Sequence, residues 1–139
     1  MKSLRTLLKV ARADLETLRR ALADQITKEA NVVQRMHGHE QTVRAEQALA
    51  QRDYESARAY GGYAVAAVAI RKALDAERVM TNQEIDRLRT LIAEAHVETR
   101  KFERLIELQE EREKVERDKR ENAELDEFAT LRATRLTQR

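Results

Sequence analysis

The sequence contains no cysteine, no proline and no tryptophan, only three glycines, and just 4% aromatic residues. Without cysteine there is no disulfide framework and no thiolate metal site. Without proline, and with few β-branched or aromatic residues, a sheet-based fold has little to build on. The longest apolar run, Tyr63 to Ile70, is eight residues, far short of the roughly 20 needed to span a bilayer. No continuous apolar segment follows the charges of Met1-Lys2-Ser3-Leu4-Arg5, so no secretory signal is expected and the chain reads as cytoplasmic. Twenty-seven basic residues stand against 25 acidic ones. That near balance argues against a general polyanion binder.

What is abundant points one way. Ala, Glu, Lys, Leu and Arg supply 81 of the 139 residues, a share typical of long helices and coiled coils. Apolar side chains recur in steps of three and four, the spacing that keeps them on one helix face. One series runs Leu4, Leu8, Ala11, Leu15, Leu18, Leu22, Ile26, Glu29, Val33, Met36, Glu40, Val43, Gln47, Ala50. A second runs Tyr60, Tyr63, Ala67, Ile70, Leu74, Glu77, Thr81, Ile85, Leu88, Ile92, Ala95, Thr99, Phe102, Ile106. Each is a narrow stripe suited to one partner helix.

The fold expected is all-α: a long antiparallel two-helix coiled-coil hairpin whose second helix is longer and projects. Each series holds one pair of consecutive four-residue steps, a stutter, centred on Leu22 and on Thr81. Matching the two at one level puts the turn near 51–55, where Asp53 can cap a new helix, rather than at Gly61-Gly62. The expected organisation is a single domain, 1–139. Helix one covers about 3–50, helix two about 54–130, and 131–139 forms a frayed tail. Helix one would measure about 72 Å and helix two about 115 Å at 1.5 Å per residue. From Glu107 to Glu124 the only sizeable apolar residues are Leu108 and Val115. Pairs such as Glu110–Lys114, Glu113–Arg117 and Glu116–Arg120 support an isolated helix by about 0.2–0.5 kcal/mol each. That stretch reads as a solvated helix or a projecting rod.

No constellation suggests catalysis or a cofactor. His37 and His39 lie two apart and point about 200° away from each other on a helix, so they cannot share a metal ion, and His96 forms no recognisable site with an acidic or His residue at helical spacing. The histidines are expected to be solvated. Glu29 and Glu40 fall in the stripe, where they fix register rather than catalyse. Thr81-Asn82-Gln83-Glu84 matches a capping box, but no Pro or Gly nearby ends the helix. The anomaly is Tyr63 to Ile70, apolar on every face while a hairpin buries one stripe. Its surplus, Val65, Val68 and the alanines, is either an exposed partner site or simply good helix formers.

Three stretches carry a family resemblance: Ser3-Leu4-Arg5-Thr6-Leu7-Leu8, Tyr60-Gly61-Gly62-Tyr63, and Glu124-Leu125-Asp126-Glu127-Phe128-Ala129 followed by Arg132 and Arg135. With these the chain resembles, over nearly its whole length, the FliJ family of flagellar export proteins, components of the type III export ATPase complex. Gly61-Gly62 departs from the family pattern.

The resemblance implies a non-enzymatic stalk and adaptor. Its partners would be the export ATPase hexamer, the membrane export gate protein and export chaperones, with no nucleic acid and no membrane insertion. It would be a monomer in isolation, peripheral to the inner membrane at the export apparatus. Tyr60, Tyr63, Ala67, Ile70 and Leu74 would face the gate. Leu4, Leu7, Leu8, Leu125, Phe128 and Arg132 would meet the ATPase ring. Three other readings stand beside it: the equivalent stalk of an injectisome-type system, a self-associating coiled-coil scaffold, and a nucleic-acid-binding helical arm. The alternation of acidic and basic residues disfavours the last, since such arms need a basic face.

Overall fold

The computed structural model describes the backbone of residues 2–138 and the side chains of 3–138. The protein is an all-α two-helix hairpin: α1 spans Lys2–Arg52 and α2 spans Tyr54–Thr137. Only Asp53 separates them, inside the expected 51–55 window. Its backbone N–H still donates to the Leu49 carbonyl at 3.3 Å, closing α1. Its carboxylate Oδ1 accepts from the Glu55 N–H at 3.2 Å, and its carbonyl accepts from the Ala57 N–H at 3.0 Å. Asp53 is thus the N-cap of α2, satisfying donors that a helix start leaves unpaired. Replacing Asp53 by Ala should cost about 1 kcal/mol, measurable as a lower urea midpoint.

One boundary differs from the sequence expectation, and the glycines lie inside the second helix as expected. Residues 131–137, expected to fray, are helical, while Arg139 lies outside the described residues. Gly61 and Gly62 lie within α2 without positive φ. A Cβ added at either would meet nothing within 4 Å. Each Gly→Ala change should therefore stabilise the helix by about 0.4–1 kcal/mol through the unfolded chain, raising Tm. Among the described residues no helix is long and apolar enough to cross a membrane.

The chain divides into two compact units, residues 14–94, and residues 1–13 with 95–139. In the 14–94 unit the helices run antiparallel. Arg35 pairs with Glu77. His39 Nε2 lies 3.0 Å from the Ala67 carbonyl oxygen. With its side-chain amide turned so that the nitrogen faces Glu29, Asn82 donates to both carboxylate oxygens at 3.1 and 3.3 Å. In the other unit Arg5 pairs with Glu110 at 3.3 Å and Arg12 with Glu103 at 3.2 Å, again antiparallel. These pairs are exposed, so they fix orientation more than they stabilise. Within α2, two hydrogen bonds from Arg87 hold the exposed Glu84 carboxyl below the usual carboxylate range.

Burial defines the seam. On α1 it runs Leu4, Leu8, Ala11, Leu15, Leu18, Leu22, Gln25, Glu29, Val32, Met36, His39, Val43, Glu46, Ala50. Steps of four and three alternate there without interruption, the heptad of a helix pair. The stutter expected at Leu22 is absent. Past that residue the seam lies one position earlier than the apolar stripe suggests: Val32 is fully buried, whereas Ile26 and Val33 are exposed. On α2 the seam follows the expected series apart from Ile70, including the stutter at Thr81, where burial passes from Thr81 to Ile85 and Leu88. Thr81 Oγ1 donates to the Glu77 carbonyl at 2.8 Å, so the hydroxyl is satisfied within its own helix.

Candidate interaction surfaces

The residues expected to face the gate are divided by the structure. Ala67 and Leu74 are 6% and 8% exposed and belong to the hairpin's own seam. Tyr60 and Tyr63 are half-buried, their rings 6.2 Å apart and tilted by 37°. Ile70 is 51% exposed and is the residue of that group most open to a partner. Ala67 and Leu74 cannot serve as contacts while the helices stay paired, because a hairpin spends its a and d side chains on itself. The surplus apolar residues Val65 and Val68 are exposed.

His39 departs from the solvated state expected of the histidines. It sits in the seam, half-buried, with its ring on the Ala67 carbonyl. Glu40, expected in the seam, is instead exposed and paired with Arg44 at 3.3 Å. No group of three or more metal-binding side chains converges among the described residues.

These shifts create a feature that the sequence series conceals. Val33, Glu40 and Gln47 each follow a seam residue of α1 by one position. Ala64 and Arg78 do the same on α2, and Arg71 lies midway between them at the same heptad position. In an antiparallel pair such positions share one flank, and here they line two open depressions of about 230 and 240 Å³. The first also touches Met36, His37 and Leu74, the second Val43, Tyr60 and Val68, and His39, Glu40 and Arg71 belong to both. The result is one groove with an apolar floor. Arg71 and Arg78 form no ion pair with any described residue. Sequence reasoning missed the groove because it assigned Val33, Glu40 and Gln47 to the interior. A strict heptad count from Leu4 would have found it.

In the unit of residues 1–13 and 95–139, the residues expected to meet the ATPase also separate. Leu8 is buried and Leu4 half-buried, so both serve the seam. Leu7 and Arg132 are exposed, and Leu125 and Phe128 are each 65% exposed. From Glu111 to Gln138 every residue is exposed, although the helix continues to Thr137. Within that stretch Leu125, Phe128, Ala129, Arg132 and Leu136 fall on one side of the helix by their three- and four-residue spacing.

Comparison with protein-family models, with curated proteins and with solved structures yields no match.

Proposed function

We propose that this chain is a non-enzymatic stalk and adaptor of the flagellar type III protein export apparatus. It acts in the cytoplasm, peripheral to the inner membrane, between the export ATPase ring and the export gate, and also engages export chaperones. The single observation that carries this reading is the continuation of α2 as a helix through more than twenty consecutive exposed residues to Thr137. A helix of that length without a packed face owes nothing to its own fold, and isolated helices are marginal in water. Such an element is kept for something outside the molecule. Its exposed Leu125, Phe128 and Arg132, with Leu7, are the contacts we assign to the ring. Tyr60, Tyr63 and Ile70, extended by Val65 and Val68, are those assigned to the gate. Ala67 and Leu74 position this surface from beneath.

Two assays test the proposal. Added to the purified export ATPase of the same organism, the chain should raise ATP hydrolysis or promote ring assembly, and Phe128→Asp with Leu125→Asp should abolish the effect while leaving the circular dichroism spectrum unchanged. An ATPase indifferent to the wild-type chain would count heavily against a stalk. Ile70→Asp should abolish capture of the soluble domain of the gate protein. Unimpaired capture would remove the gate assignment and leave the ring assignment standing.

A further inference from the structure

The flanking groove of residues 14–94 and the unpacked end of α2 are complementary. The groove offers an apolar floor, with exposed Val68 and the half-buried Tyr60. Two cations stand on its wall, Arg71 and Arg78, seven residues apart and without ion-pair partners among the described residues. Its one carboxylate, Glu40, is taken by Arg44. The end of α2 offers the reverse. Leu125 and Phe128 are exposed, and Glu121 and Glu124 beside them have no ion-pair partner among the described residues.

We infer that the chain self-associates by seating the segment around Glu121–Leu136 of one molecule in this groove of another. The occupant is a second copy of the chain, because the exposed end of α2 carries the apolar side chains and unpaired carboxylates that complement the groove. An antiparallel alignment with α2 of the receiving molecule sets Glu121 and Glu124 beside Arg78. The equal rise of the two helices then brings Phe128 level with Arg71, next to Val68, and Arg132 toward Glu40. Apolar side chains meet apolar floor, and the unpaired Glu121 and Glu124 meet the unpaired Arg78. The interaction goes beyond the export reading and does not depend on it. It replaces the isolated monomer expected from sequence with a concentration-dependent association. Because it covers the same side chains that are assigned to the ring and the gate, self-association and partner engagement would exclude one another.

The test uses the full chain, whose mass is 16.1 kDa, in multi-angle light scattering across a concentration series at low salt. The weight-average mass should rise above that value with concentration, and added salt should return it to the monomer, as surface charge pairs are screened. Arg71→Glu with Arg78→Glu should hold the protein monomeric, and so should Glu121→Arg with Glu124→Arg. Mixing the two variants should restore association, since each then supplies the surface the other lacks. All four positions are exposed, so folding is preserved, and unchanged helicity confirms it. A wild-type mass that stays at the monomer value at every concentration would overturn the proposal. Association that survives both charge reversals, or fails to return on mixing, would overturn it as well.

Discussion

Replacing Val32 by Asp should unfold the 14–94 unit at room temperature, whereas the same change at Val33 should leave it folded. The two residues are neighbours of one type, so helix propensity and charge are matched. What differs is burial: Val32 has no accessible surface, and Val33 is 39% exposed. A carboxylate placed at Val32 loses its hydration without any cation within the seam to replace it, a cost of several kcal/mol. Small domains have only about 5–15 kcal/mol in hand. At Val33 the carboxylate reaches water on the groove flank, and an effect within about 0.5 kcal/mol is expected of such surface changes. Urea denaturation followed by circular dichroism compares the two. Equal destabilisation would mean that the seam does not follow the heptad through Val32.

The second large effect is expected at Ile85. If the α2 heptad ran on unshifted past Thr81, Glu84 would occupy the seam and Ile85 its edge. Instead Ile85 is buried, as is Leu88 one step further on, while Glu84 is held at the surface by Arg87. Ile85→Ala should therefore cost about 2–5 kcal/mol, the range for emptying a well-packed aliphatic site. Glu84→Ala should leave the unfolding midpoint close to the wild type. The reverse order would contradict the stutter at Thr81, since only the shifted frame makes Ile85 the interior residue.

These two residues also mark where the sequence was and was not legible. The seam of α2 could be read almost completely, because its apolar side chains coincide with the positions that the structure buries. On α1 the two diverge beyond Leu22. Apolar residues continue at Ile26 and Val33, yet the helix pair holds a 3.5-residue period and turns Gln25, Val32, His39 and Glu46 toward the seam, Val32 fully buried and the others half-buried. Counting greasy residues favours the first series; only the geometry of a partner helix selects the second. A level match between two stutters predicts the turn near residue 52, yet α1 has no stutter. Asp53 marks the turn instead, since an N-cap leaves a local signature.

The surfaces were legible in outline only. The surplus of apolar residues between Tyr63 and Ile70 signalled that something would remain exposed. Which of them it would be depends on a rotation that sequence does not fix: Ala67 and Leu74 turn inward, Ile70 and Val68 outward. The exposed end of α2 was visible as a charged stretch without a stripe. Its helical continuation past residue 130 was not, because the exposed side chains there pack against nothing that would announce it. The groove was invisible for a different reason. It exists only because the seam of α1 sits one residue away from the apolar stripe.

The account stands on the return of α2 alongside α1. Spin labels at the exposed positions Gln34 and Asp75, in a sample diluted with unlabelled protein, measure that return within one molecule by double electron–electron resonance. Neighbouring helix axes lie about 8–10 Å apart, so with the reach of the labels a single distance below about 30 Å is predicted. A distance near 60 Å, the span of 41 residues of uninterrupted helix at about 1.5 Å each, would contradict the hairpin and everything inferred from its flanks.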